Sequence, residues 1–136
     1  MTEFVVDAGP LIGYLVTDDQ WSAWSAQTLN SVDDVLHTSE AVVAEVAFRL
    51  NRYRPAISRL LSWIKAGGLN LVPAVSDHED ALESLLVKYP EMDLCDATVV
   101  LLSELFPRSQ VITTDRRHFE VYRRHRNQPI PLICPP

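Results

Sequence analysis

Short apolar runs alternate along this chain with longer stretches in which apolar residues recur every three or four positions. The runs at 4–6, 35–38, 69–72 and 111–113 are bounded by Asp, Ser, Pro or Thr, as expected for short strands buried in a sheet. Pro10 suits the first turn of a helix whose apolar face is Leu11, Ile12, Tyr14 and Leu15, and Asp18-Asp19 ends it. A second helix is expected over 21–29. Ser39 is placed to cap a third over 40–51, and Pro55 opens a fourth that stops at Gly67-Gly68. Ser76 and Glu79 have the spacing of a capping box for a helix running to residue 89. Between Pro90 and Pro107, the segment ATVVLLSEL is apolar almost all round and predicts a buried helix over 93–105. Residues 115–126 read as a turn and a helix, and 130–133, with its prolines, as an edge strand. Strands alternating with helices predict an α/β fold with a short, mainly parallel sheet of four to five strands and helices on both faces. In such sheets a site forms outside the carboxyl ends of the strands.

Length and composition narrow this to one domain over 1–136: 136 residues, 47% apolar and 22% charged, suit a single packed core. No apolar stretch approaches the ~20 residues that cross a bilayer, and MTEFVVD lacks the basic-then-apolar order of a signal peptide. Cys95 and Cys134 are isolated, so free thiols and a cytoplasmic location are expected. The net charge of −6 argues against a general nucleic-acid binder, yet six of the twelve basic residues lie between Arg108 and Arg126.

Four acids stand at expected strand ends or on buried helices: Asp7, Glu45, Asp96 and Asp115. Each has a local explanation. Asp7 and Asp115 suit turns or caps, Glu45 precedes Arg49 at ion-pair spacing, and Asp96 with Asp93 suits the head of a helix. Their coincidence in an α/β order carries more weight. Carboxylates gathered in an apolar setting repel one another and lose hydration, and the chain's two lysines, Lys65 and Lys88, adjoin none of them. A hard divalent cation is the expected partner, and oxygen-only ligands favour Mg²⁺ or Mn²⁺ over zinc. No nucleophile elbow, Walker loop or dinucleotide fingerprint is present, and the four histidines show no metal-ligand spacing.

The ordered segments VVDAGPLIGYL, TSEAVVAEVAFRL, MDLCDATVVLLSEL and VITTDRRHF resemble the PIN domain. More narrowly, they resemble the toxin ribonucleases of the virulence-associated protein C type. The resemblance implies a three-layer α/β/α sandwich and a Mg²⁺- or Mn²⁺-dependent endoribonuclease leaving a 5′-phosphate and a 3′-hydroxyl. It implies that Asp7, Glu45, Asp96 and Asp115 are the catalytic and metal-site carboxylates, with Asp93 and Thr113 in support. His118 stands where some relatives carry a further acid, and Ala8-Gly9 replaces polar residues that some carry. Arg116, Arg117, Arg123 and Arg124 are expected to hold RNA phosphates. The implied partners are RNA, a cognate antitoxin protein and a second copy of the chain, with Tyr14, Trp21, Trp24, Phe48 and Tyr53 as candidate contact residues and no membrane. Two alternatives remain at this point: a catalytically silent PIN-like interaction module, and a phospho-accepting signalling domain.

Overall fold

The computed structural model describes residues 3–136. Its main strands are β1 (Glu3–Val6), β2 (Leu36–Thr38), β3 (Leu69–Leu71) and β4 (Ser109–Ile112). Two-residue strands follow: β5 (Arg123–Arg124), β6 (Gln128–Pro129) and β7 (Leu132–Ile133). The helices are α1 (Ala8–Leu15), α2 (Ser22–Asn30), α3 (Glu40–Arg49), α4 (Arg54–Lys65), α5 (Glu79–Lys88), α6 (Leu94–Leu105) and the single turn α7 (Arg116–Phe119).

The central sheet runs in the order β3-β2-β1-β4-β7, parallel throughout. It is the middle layer of an α/β/α sandwich, as the sequence pattern predicts. Val5 and Val6 point to opposite faces of β1 and both are fully buried, because each face of a parallel strand is covered by helices. Helix α6 crosses β1, β2 and β4 and buries every residue from Ala97 to Ser103. Its two hydroxyls are satisfied internally: Thr98 donates to the Cys95 carbonyl at 2.7 Å and Ser103 to the Val100 carbonyl at 2.6 Å. Ser39 caps α3 as expected, accepting from the Val42 N–H at 3.1 Å. Its hydroxyl also meets Thr98 Oγ1 at 2.8 Å, which ties the head of α3 to α6.

Two expectations are corrected. Ser76 caps nothing: the chain makes a tight turn with Asp77 in left-handed backbone (φ 71°), and α5 begins at Glu79 without a side-chain cap. The expected helix over 115–126 stops after one turn. Tyr122 is drawn into the interior, and the Arg123 N–H donates to the Tyr89 hydroxyl at 2.9 Å instead of to a helical carbonyl. The chain then forms a small antiparallel hairpin, β5 with β6, turning through Arg126 and Asn127, both at φ 58°. The expected edge strand is present as β7, paired with β4.

The order of strands reverses at β1, whose neighbours are β2 and β4. In such a sheet the connections leave a crevice at the carboxyl ends of the two strands where the order reverses. Asp7 directly follows β1, and Thr113 to Asp115 directly follow β4.

Candidate active site

A cleft of about 230 Å³ opens at that crevice. It is lined by Asp7, Glu45, Asp93, Asp96 and Asp115, together with Ala8, Gly9, Arg49, Glu91, Cys95, Thr114 and His118. The four acids singled out in the sequence, and Asp93 beside them, therefore share one space although they come from four separate stretches of chain.

Asp7 is the N-cap residue of α1, yet its side chain makes no cap bond to that helix. The fully buried Thr113 instead donates its hydroxyl to Asp7 Oδ2 at 2.8 Å and accepts the Asp115 N–H at 3.0 Å. One threonine thus joins the acid after β1 to the loop after β4. Asp7 is only 7% exposed, and desolvation raises its pKa above the ordinary carboxylate value. The Thr113 bond and the Ala8 backbone oppose that rise, while Asp115 and Asp93 add to it.

Asp96 lies in the first turn of α6, behind the N-cap Asp93, which accepts the Asp96 N–H at 2.8 Å. The local cap expected of Asp93 is therefore real, and it also holds Asp93 at the rim. Burial pushes the Asp96 carboxyl up to about 7. A hydrogen bond from Tyr122 works against this, and Asp93, Asp7 and Asp115 reinforce it by repulsion.

Glu45 has the Arg49 partner that its spacing predicts, and Asp115 has a basic neighbour in His118 that the sequence did not point to. Arg49 Nε donates to Glu45 Oε1 at 3.0 Å, one helical turn away. His118 stands against Asp115, Nδ1 to Oδ2 at 2.9 Å, with its Nε2 at 3.4 Å from Glu91. The bond to Asp115 and its charge hold His118 above the usual imidazole value. Asp115 also caps α7 by accepting the His118 N–H at 3.2 Å. Both ion pairs are half-exposed and add little to stability.

None of the four arginines expected to meet RNA lines the cleft. Arg116 reaches Glu120 and the Pro135 carbonyl, both at 3.3 Å. Arg123 donates to the carbonyls of Glu120 and Tyr122, and Arg124 to that of Pro107 at 2.9 Å. Arg117 is exposed beside His118. Sequence reasoning passed over Arg49 as a cleft residue, although its spacing from Glu45 places it there. It also missed Tyr122, 26 residues from Asp96 and in an element read as helix. Of the candidate contact aromatics, Phe48 is 80% exposed, whereas Tyr14 stacks on Trp63 with ring centroids 4.9 Å apart.

Among the described residues, no three His, Cys, Asp or Glu side chains converge into a ready-made metal cluster. The donor chemistry nevertheless fits a hard cation. Six carboxylates border one cleft, and the buried Asp7 and half-buried Asp96 are penalised by desolvation and by neighbouring acids, which a positive ion would relieve. Burial and the surrounding acids raise the pKa of Cys95, so its thiol stays protonated and offers no thiolate.

No curated protein matches the chain. Among solved structures, it is similar to Mycobacterium tuberculosis VapC20, a sarcin–ricin loop cleaving toxin. The two share 20% identity over 80% of this chain and 87% of that one, with a TM-score of 0.70. It is also similar to VapBC2 from Rickettsia felis, bound to a DNA fragment from their promoter, at 11% identity over 100% of both chains and a TM-score of 0.68. At these identities the likeness establishes the fold. The family model described as the PIN domain matches residues 4–124, nearly the whole chain and all four acidic segments, and the chain belongs to the PIN domain family.

Proposed function

We propose that this chain is a divalent-metal-dependent endoribonuclease and the toxin of a type II toxin–antitoxin pair, acting as one domain over 1–136. The observation that carries this reading is the single cleft at the β1–β4 crevice in which Asp7, Glu45, Asp93, Asp96 and Asp115 meet. Asp7, Glu45, Asp96 and Asp115 would hold Mg²⁺ or Mn²⁺. When bound, that ion supplies Lewis-acid polarisation of the phosphoryl group and acidifies water.

The chain's own groups do the rest. Thr113 fixes Asp7 against the Asp115 loop, so the acids at the ends of both strands keep their spacing. One of the cleft carboxylates would position or deprotonate the attacking water. Arg49, on the cleft wall, can turn from Glu45 towards a phosphate, and Arg116, Arg117, Arg123 and Arg124 supply positive charge for RNA outside it. The antitoxin reading draws on the likeness to VapBC2, and the exposed Phe48 and Tyr53 offer contact surface for it or for a second copy of the chain. The free, half-buried Cys95 and Cys134 accord with a cytoplasmic site of action. Among the described residues no helix is long and apolar enough to cross a membrane.

The deciding experiment incubates purified protein with total RNA in Mn²⁺ or Mg²⁺, in EDTA, and with Asp96→Asn. Discrete fragments that require both metal and Asp96 support the reading, and their mapped ends identify the target. Cleavage undiminished in purified Asp7→Asn and Asp96→Asn refutes it. Metal binding without cleavage by antitoxin-free protein points instead to a silent interaction module.

A further inference from the structure

Tyr122 has no part in the site that the sequence predicts. Its side chain is 2% exposed and lies behind Asp96, and its hydroxyl donates to Asp96 Oδ2 at 2.8 Å. The ring is fixed from several sides. Phe119 and Tyr89 meet it edge-on, each with centroids 5.1 Å away, and His118 lies at 6.4 Å. The backbone beyond it is pinned by the Arg123 N–H bond to the Tyr89 hydroxyl.

Any buried tyrosine hydroxyl seeks an acceptor, so burial alone would explain a bond. Two features go further. The acceptor is a carboxylate on the cleft, already raised in energy by desolvation and by three neighbouring acids. The arrangement also repeats across the cleft, where the buried Thr113 hydroxyl holds Asp7 Oδ2 at the same distance. The buried Asp7 and the half-buried Asp96 thus each have one oxygen fixed by a neutral donor. A hydroxyl sets the rotamer of a carboxylate without cancelling its charge, whereas an arginine or lysine there would compete with an incoming cation.

We infer that Tyr122 is a positioning residue that holds Asp96 Oδ2 and thereby presents Asp96 Oδ1 to a divalent cation in the cleft. The inference rests on the proposed metal-dependent reading of the site. Tyr122→Phe keeps the ring and removes only the hydroxyl. Mn²⁺ is titrated calorimetrically into the full chain and into the variant, whose fold is checked by circular dichroism. The dissociation constant for Mn²⁺ should rise about tenfold or more, the range typical of residues that orient metal ligands. Cleavage in the variant should recover towards the original level as Mn²⁺ is raised.

Where the variant fails to fold, 3-fluorotyrosine placed at 122 gives the same answer by fluorine NMR. Its resonance should shift during a Mg²⁺ titration with the midpoint of metal binding. Equal Mn²⁺ affinity in wild type and a folded Tyr122→Phe, or a fluorine signal unmoved at saturating Mg²⁺, overturns the role of Tyr122 alone. A wild-type protein that takes up neither ion overturns the metal-dependent reading, and this role with it.

Discussion

Asp96→Asn should abolish cleavage, but its effect on stability is the sharper test of the physical argument. Asn has nearly the shape of Asp and can still accept from Tyr122, so the substitution removes charge with little change in packing. The Asp96 carboxyl is pushed from 3.8 up to about 7, chiefly by burial. At about 1.36 kcal/mol per pH unit, that gap of roughly three units corresponds to about 4 kcal/mol of destabilisation when the group is ionised. The cleft is open to water, so about half of that, roughly 2 kcal/mol, is a fair expectation. The sign follows from linkage. The folded state holds the Asp96 proton more tightly than the unfolded chain, so the penalty is full above pH ~7. It fades as the pH falls towards ~4, where the unfolded chain is protonated as well. In EDTA near pH 8, Asp96→Asn should therefore melt about 5–8 °C above wild type for a chain of this size. The difference should shrink near pH 4.5. Saturating Mg²⁺ should reverse the order at pH 8, because the ion stabilises only the protein that binds it. Thermal melts followed by circular dichroism at both pH values, with and without Mg²⁺, read all of this. An Asp96→Asn protein less stable than wild type in EDTA at pH 8 would refute the claim that this carboxylate is held at a cost.

Three further outcomes are predicted. Thr113→Val removes the donor to Asp7 and orphans the Asp115 N–H, so it should cost about 1–3 kcal/mol in urea unfolding and weaken Mn²⁺ binding measured by calorimetry. Ser39→Ala removes the α3 cap and the link to Thr98, and should cost about 1–2 kcal/mol in the same unfolding assay. Gly13→Ala would drive a Cβ into Ser25 Oγ and to 3.0 Å from the Trp21 carbonyl where α1 packs on α2. Despite alanine's better helix propensity it should lower the melting temperature, by an overpacking cost of about 1–3 kcal/mol.

The parts of this fold set by local rules were legible in the sequence. The apolar residues 4–6 lie in β1, which ends at Asp7 where α1 begins, and the same end places Asp7 at the crevice. The α3 cap at Ser39 and the buried α6 follow equally from spacing. The failures lie where tertiary contacts outbid local preference. At Ser76 the capping-box letters are present, but the chain turns through Asp77 first. After Phe119 a helical pattern gives way, because burying Tyr122 against Asp96 and Tyr89 leaves Arg123 no helical partner. A contact spanning 26 residues leaves no periodic trace, so Tyr122 could not have been read from the chain alone.

The four acids are held in two different ways, and the difference orders the site. Glu45 and Asp115 each have a basic side chain of the protein beside them, Arg49 and His118. The buried Asp7 and the half-buried Asp96 are held by the hydroxyls of Thr113 and Tyr122, which orient but do not neutralise. Desolvation and repulsion therefore weigh most on Asp7 and Asp96. On the proposed reading, an entering divalent cation gains most by going to Asp7 and Asp96 first. Glu45 and Asp115 would then have to release Arg49 and His118 to complete the shell, which frees Arg49 on the cleft wall for a phosphate. The packed sheet and α6 sustain Asp7 and Asp96: fully burying one apolar side chain is worth about 1.5–3 kcal/mol, so a few residues such as Val5, Val6, Val99 and Leu102 offset the desolvation of these two carboxylates.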